Sequence, residues 1–304
     1  MITVLFSLLL ASQSLHPNSA TDACANPDIR FAVIGDYGLA GQYEADVANL
    51  VKSWNPDFIT TVGDNNYNSG AASTIDANVG QYYSDYIGNY NGSYGPGAAS
   101  NNFYPVPGNH DWSTTSGGLP HPYLDYFTLP GNERYYTFTR GPVQFFMLDS
   151  DAHEPDGITS ASPQAAWLQT QLAGSTAPWK LVYLHHAPYS SANHGSQPAL
   201  QWPYRQWGAT AVLAGHDHTY ERLNVGGLLY FVNGLGGKSL YNFGSPVAGS
   251  QVRYRDNFGA MLVTASSTCL SFQFITRQHT VIDTYILRND LPPQVYLPVI
   301  LQQN

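Results

Sequence analysis

The sequence predicts an α/β fold carried by one large domain, and three observations point to it. Between Arg30 and Val62, a short apolar run, a helical spacing and a second apolar run follow one another. Strand, helix, strand in that order implies parallel pairing through a right-handed crossover. Five times along the chain an apolar run stops and Asp, Asn, His or Tyr follows at once. In open α/β sheets, ligand-binding groups gather in this way at the carboxyl ends of strands. The 304 residues suffice for one sizeable core, and neither a linker nor a tandem repeat divides them.

The elements follow in order. The run 30–34 reads as a buried strand ending at Gly35-Asp36. Val47, Leu50, Val51 and Trp54 recur at helical spacing across 44–54, and Pro56 ends that helix. A second strand, 57–62, runs into Gly63-Asp64. The stretch 75–87 predicts a helix, the Gly-, Asn- and Ser-rich 89–102 a loop, and 103–106 a brief strand stopped by Pro107-Gly108 before Asn109-His110. Segments 135–139 and 143–149 predict a hairpin turning at Arg140-Gly141-Pro142. Ser162-Pro163 opens a helix through residue 172, with proline at the favoured first position. Strands 179–184 and 209–214 lead into His185-His186 and Gly215-His216. The late runs 228–232, 260–265, 269–276 and 280–287 predict antiparallel strands, with glycine turns at 226–227 and 234–237.

Charged residues make up only 11% of the chain, and the formal net charge is −9. With neither a basic patch nor a Lys/Arg cluster, no nucleic acid is expected as a partner. The apolar run 1–11 is too short to span a bilayer, and small polar residues follow it to Ala23. This predicts a secretory signal over 1–23, although it lacks a positively charged start; the alternative is a peripheral N-terminus. The expectation is therefore a secreted, extracellular or cell-envelope protein with no stable membrane span. Its main domain would cover 24–290, followed by a tail, 291–304, whose prolines confine it to an edge strand or an extended surface piece. Cys24 and Cys269 lie outside the five polar motifs, so they either form one disulfide or are two buried thiols.

Those motifs are Gly35-Asp36-Tyr37-Gly38, Gly63-Asp64-Asn65-Asn66-Tyr67, Gly108-Asn109-His110-Asp111, Val182-Tyr183-Leu184-His185 and Gly215-His216-Asp217-His218. Strand ends would bring Asp36, Asp64, Asn109, His185, His216 and His218 to one rim. Oxygen and imidazole donors without thiolate suit Fe, Zn or Mn. A lone Gly-Asp is usually only a turn, and a His pair can be a buried, hydrogen-bonded core feature. The five together, in this order, are far more specific than any one.

In that order the motifs resemble the calcineurin-like metallophosphoesterases and, within them, the purple acid phosphatases of the tartrate-resistant type. The resemblance covers nearly all of residues 30 to 287. It implies a four-layer α/β/β/α sandwich of two mixed β-sheets flanked by helices, in the small single-domain form. Most metallophosphoesterases read Asp-x-His in the first motif; here that place is Gly38, and the second motif offers Tyr67 instead. Carried over position by position, the resemblance implies Fe(III) held by Asp36, Asp64, Tyr67 and His218. A divalent ion (Fe, Zn or Mn) would be held by Asp64, Asn109, His185 and His216, with Asp64 bridging the two. His110 and His194 would face the phosphate as catalytic residues. One stabilises developing charge and the other protonates the leaving alcohol, a role given to His194; the alternative for His194 is a solvated loop histidine. His186 is expected to pack or to support its neighbours, Asp111 to orient an imidazole, and the loops 114–122 and 233–249 to shape the pocket.

The implied activity is acid hydrolysis of small-molecule phosphate monoesters by a monomer, through in-line attack of a metal-acidified hydroxide. Two rivals are a phosphodiesterase or nucleotide hydrolase on the same scaffold, and a secreted binding protein with a vestigial site.

Overall fold

The computed structural model describes residues 24–289. The expectations for 1–23 and 291–304 fall outside them. Strand β1 (Ile29–Ile34) pairs in parallel with β2 (Phe58–Thr61), Phe31 opposite Phe58. Helix α1 (Gln42–Ser53) makes the crossover. Its Leu50 packs on Leu262 and Ile275 of the sheet it crosses, as the i, i+3, i+4 apolar spacing requires. The segment expected as helix 75–87 is helical from Ala72 to Tyr86, but not uniformly. α2 (Ala72–Ile75) passes into a π turn at Asp76–Gly80, then α3 (Gln81–Tyr83) and a 3₁₀ turn at Ser84–Tyr86. The wide turn aims Asn78 at the second motif: its Nδ2 donates to Asn66 Oδ1 at 2.8 Å and to the Tyr67 carbonyl at 3.0 Å.

Strand β3 (Phe103–Tyr104) extends this sheet in parallel beyond β2. After α4 (His121–Tyr126), β4 (Tyr136–Arg140) and β5 (Val143–Met147) form the expected hairpin. Helix α5 (Pro163–Gly174) begins at Ser162, whose side chain caps the Ala165 amide at 3.2 Å. Strand β6 (Trp179–Tyr183), the short α6 (Tyr204–Trp207) and β7 (Ala211–Ala214) follow. The remaining strands are β8 (Tyr220–Val225), β9 (Leu228–Asn233), β10 (Ser250–Tyr254), β11 (Gly259–Ala265), β12 (Cys269–Thr276) and β13 (Val281–Arg288).

Two mixed sheets result, with strand orders β13-β12-β11-β1-β2-β3 and β10-β8-β9-β7-β6-β5-β4. One expectation is corrected. The strand at 228–232 is not antiparallel throughout: β9 runs parallel to β7 and antiparallel only to β8. The reason is β8, which sequence reading missed and which reverses the chain first, so β9 returns in the direction of β7. Strands β11, β12 and β13 are antiparallel as expected.

Aromatic side chains fill the space between the sheets. Ring centroids lie 5.2 Å apart for Phe31 and Phe145, 5.4 Å for Phe58 and Phe145, and 4.7 Å for Phe231 and Phe272. On the outer face of the second sheet, Ala165, Leu168 and Leu172 of α5 cover Phe146, Val182 and Val212. Helix, sheet, sheet, helix is the four-layer arrangement. Cys24 and Cys269 form a disulfide that ties the start of the described chain to β12. Among the described residues no helix is long and apolar enough to cross a membrane.

Candidate metal centre

β1, β2 and β7 each end in a Gly followed by a residue with left-handed backbone: Asp36 (φ 53°), Asp64 (φ 54°) and His216 (φ 70°). Few non-glycine residues adopt that conformation, and clusters of them mark sites where surrounding structure dictates the backbone. Here the dictating contacts are visible. The His216 amide donates to both Asp36 oxygens, at 3.0 and 3.1 Å, and the His110 amide donates to Asp64 Oδ1 at 2.9 Å. The third motif approaches so closely that a Cβ on Gly108 would sit 2.3 Å from the Asp64 amide nitrogen.

One group of donors forms around Tyr67. Its hydroxyl lies 2.7 Å from Asp64 Oδ2, 3.3 Å from Asp36 Oδ1 and 3.1 Å from His218 Nε2, all four side chains buried. His218 Nε2 is 3.3 Å from Asp36 Oδ1, while its Nδ1 meets Ser239 Oγ at 2.6 Å. Gly38 explains why a Tyr stands here. A Cβ on Gly38 would be 1.8 Å from the Asn65 carbonyl oxygen, and the Tyr67 amide donates to the Gly38 carbonyl at 2.7 Å. No side chain fits at position 38, and the loop bearing Tyr67 occupies the space a histidine there would need.

A second group forms around His185. Its Nε2 lies 3.3 Å from Asp64 Oδ1, 3.1 Å from Asn109 Oδ1 and 3.2 Å from His216 Nδ1. Its Nδ1 is 2.8 Å from the Val62 carbonyl, which orients the ring with Nε2 facing inward. His186 also comes within ligand distance of His185 and His216, and it is held by Ser150 Oγ at 3.0 Å. Asp64 thus belongs to both groups, one oxygen in each.

The electrostatics are those of a cation site. The ion-pair partners of Asp36 and Asp64 are imidazoles: His218, His185 and His110. Burial pushes the Asp64 carboxyl up, but the charge and hydrogen bond of His185 prevail and hold it well below the carboxylate range. In the same pair, burial pushes His185 down and Asp64 overcomes it, raising the imidazole to about 10. Burial, with the Asp64 and Asp36 charges, drives the Tyr67 phenol well above its ordinary value. Burial and His185 lower His186 to about 4, and the same causes depress His216 strongly. A proton on His185 is thus a substitute for positive charge among converging lone pairs. Carboxylate, phenol, amide and imidazole donors around a shared carboxylate fit two hard or borderline cations.

The two further histidines each lie against one of these groups. The His110 ring lies 4.4 Å from the Tyr67 ring, and its Nε2 is 4.0 Å from Asp64 Oδ2. The His194 ring stacks on His216 at 4.0 Å. Its loop is held by buried Asp217, which accepts from the His194 amide at 2.7 Å, the Ser190 hydroxyl at 2.5 Å and the Gly195 amide at 3.2 Å. Asp111 touches no imidazole. It accepts instead from Gly108 N at 2.8 Å, Asn65 N at 3.1 Å and Asn65 Nδ2 at 2.8 Å, fastening the second and third motifs together. His121 and His153 pair with Asp125 and Asp151, away from these groups.

Within the loop 233–249, expected to shape the pocket, sequence reasoning did not single out Lys238, Ser239 and Tyr241. Tyr241 lies flat on His218, with centroids 4.1 Å apart and 9° between planes. Lys238 Nζ sits 4.8 Å from the Tyr67 ring centroid. The only signal was the general one of a Gly-rich loop following a strand.

Comparison with known proteins agrees with this geometry. The family model for calcineurin-like phosphoesterases matches residues 29–220. Tartrate-resistant acid phosphatase type 5 of Homo sapiens is 28% identical over 275 residues, covering 76% of this chain and 80% of that protein. Among solved structures, purple acid phosphatase PPD1 from yellow lupin (Lupinus luteus) seeds matches with a TM-score of 0.68 at 19% identity, covering 86% of this chain and 53% of that one. GAP50, the anchor in the inner membrane complex of Plasmodium, matches with a TM-score of 0.66 at 17% identity, covering 86% and 88%. With the strand-end motifs, the two sheets and the family match in agreement, the chain belongs to the calcineurin-like phosphoesterases and is a hydrolase.

Proposed function

We propose that this phosphoesterase is a binuclear acid phosphatase acting on small-molecule phosphate monoesters. The observation that carries the proposal is Asp64, with Oδ2 at 2.7 Å from Tyr67 and Oδ1 at 3.3 Å from His185. One carboxylate shared in this way suits a pair of ions. Asp36, Asp64, Tyr67 and His218 would hold Fe(III), since phenolate and carboxylate are hard, charged donors. Asp64, Asn109, His185 and His216 would hold a divalent ion, Fe, Zn or Mn. Such ions supply an acidified water and neutralise charge on the phosphate oxygens.

The chain's own residues do the rest. His110 would donate to a phosphate oxygen as charge develops, a reading supported by its contact with Tyr67. His194 would give its proton to the departing alcohol, a reading supported by its stacking on His216. We further infer that residues 24–290 form the catalytic domain of a monomeric, secreted or cell-envelope enzyme. The similarity to acid phosphatases supports the monoester reading.

The test is metal content, a visible spectrum and a phosphate-ester panel on one preparation. Bound iron, a visible tyrosinate band and preference for p-nitrophenyl phosphate over bis(p-nitrophenyl) phosphate are expected. Iron-free, colourless, active protein would overturn the ferric assignment, and preference for the diester would favour a phosphodiesterase. Full activity in Asp64→Ala would overturn the whole site.

A further inference from the structure

A groove of about 730 Å³ opens just past Tyr241 in the chain, lined by Asn242, Phe243, Arg253, Tyr254, Arg255 and Asp256, with the Gly244 backbone. Arg253 lies in edge strand β10 and Arg255 directly follows its last residue, Tyr254, and both line the groove. Both are exposed. Arg253 lies over the Phe243 ring at 5.1 Å and donates to the Gly244 carbonyl at 3.2 Å; Arg255 donates to Asn242 Oδ1. Neither guanidinium pairs with a carboxylate among the described residues, whereas Arg134, Arg222 and Arg277 do. Asp256, in the same lining, leaves the groove one positive charge in excess.

Two connections fix the groove relative to the centre. Tyr241, next in sequence to Asn242, stacks on His218 and lies 5.4 Å from His194. Phe243 pairs with Ala192 through a backbone bridge, and the Gly244 amide donates to the Ser191 carbonyl at 2.7 Å. The floor of the groove is therefore fastened to the loop that carries His194. On the proposed function, on which this inference rests, His194 marks the side from which the alcohol departs.

We propose that the groove receives a second anionic group on the leaving alcohol, so that the preferred substrates are phosphate monoesters bearing another phosphate or a comparable anion. Guanidinium forks match phosphate oxygens geometrically and carry charge at any working pH. The reaction is unchanged in its balance. Water oxygen bonds to phosphorus, the P–O bond to the alcohol breaks, and the proton from His194 goes to the departing oxygen; one water proton stays on the released phosphate and the other restores His194. The second phosphate stays on the alcohol product.

The experiment compares fructose 1,6-bisphosphate with fructose 1-phosphate in the wild-type enzyme and in the Arg253→Gln/Arg255→Gln double variant. The expected result is a loss of about tenfold or more in kcat/KM for the bisphosphate, with fructose 1-phosphate and p-nitrophenyl phosphate changed less than about twofold. Equal losses on both sugars, or none on the bisphosphate, would overturn the groove. Calorimetric binding of fructose 1,6-bisphosphate supplies a readout independent of turnover, with weaker binding by the double variant expected. Unchanged binding refutes the groove even if the enzyme is active. Inactivity toward every ester with binding still weakened refutes the phosphatase reading and leaves the groove standing.

Discussion

Replacing Asp217 with Asn would change one atom, and the structure says which bonds it breaks. Oδ1 accepts the His194 amide at 2.7 Å, while Oδ2 accepts both the Ser190 hydroxyl at 2.5 Å and the Gly195 amide at 3.2 Å. An amide oxygen retained opposite His194 N puts an NH2 group opposite Ser190 and Gly195. The hydroxyl can rotate and accept, but the Gly195 amide is left facing another donor. One charge-assisted bond is lost and one half-buried N–H goes unpaired, at about 2–3 kcal/mol together. For a domain of this size that lowers Tm by roughly 5–10 °C. The same donor clash loosens residues 190–195 and with them the stack of His194 on His216. With His194 as the acid of the proposed function, mispositioning it should lose about 10²-fold in rate when the leaving alcohol needs its proton, and much less for a good leaving group. The assay is thermal unfolding together with kcat on phenyl phosphate and p-nitrophenyl phosphate. A drop in Tm with a larger kcat loss on phenyl phosphate is expected. Equal kcat losses on the two esters would refute the link from Asp217 to His194, and an unchanged Tm would refute the bond accounting.

Three further outcomes follow from buried groups and close contacts. The Cys24–Cys269 disulfide spans 245 residues, so Cys24→Ser/Cys269→Ser should lose about 5 kcal/mol by loop entropy, read as a lower denaturation midpoint; an unchanged midpoint would refute it. Gly38→Ala should destabilise by about 2–3 kcal/mol, because its Cβ meets the Asn65 carbonyl at 1.8 Å; wild-type stability in that variant would sink the packing argument. Burial pushes the Glu44 carboxyl well above its ordinary 4.5, with the Leu39 backbone opposing only in part. Above that ordinary value the unfolded chain gains by ionising while the native state does not, so wild-type stability falls as pH rises. Glu44→Gln titrates in neither state, so its stability relative to wild type should climb by up to about 1.4 kcal/mol per pH unit above about pH 5, and a pH-independent difference would contradict this.

What the sequence made legible follows from where local and global signals coincide. Asp36, Asp64 and His216 could be placed on one rim because each follows a short apolar run and a glycine, and parallel strands deliver their ends together. Tyr67 was legible through Gly38, since the two are one contact in the structure. Strand β8 was not legible because it carries Glu221 and Arg222 in its interior, both buried. Their partners lie far off in sequence: Ser191 and Ser250 for Glu221, and Asp283 for Arg222. A charge pair that reads as surface in one dimension is core once such partners arrive. The roles of Asp111 and Asp217 were hidden for the same reason. Each sits inside a ligand-like motif yet is bonded by neighbouring loops, Asp111 through Oδ2 alone and Asp217 through both oxygens.

Those acids separate into two kinds by the donors that reach them. Asp111, Asp217 and Glu221 are buried, and each accepts three N–H or O–H bonds from loops or strands near the rim. In Asp217 and Glu221 those bonds fall on both oxygens, so the charge is dispersed over fixed dipoles and needs no counter-ion. In Asp111 they all fall on Oδ2, Oδ1 has no partner, and burial with the Asp64 charge pushes the carboxyl up to about 7. Asp36 and Asp64 are equally buried, but each draws on only one backbone amide, that of His216 or His110. Their remaining lone pairs face Tyr67, His218 and His185, and therefore one another's negative charge. Asp111, Asp217 and Glu221 hold the loops and strands around the rim, while Asp36 and Asp64 are kept close at a cost that added positive charge offsets. Gly215-His216-Asp217-His218 contains both devices within four residues: two imidazoles turned toward the rim and, between them, an acid turned away to hold the loop of His194.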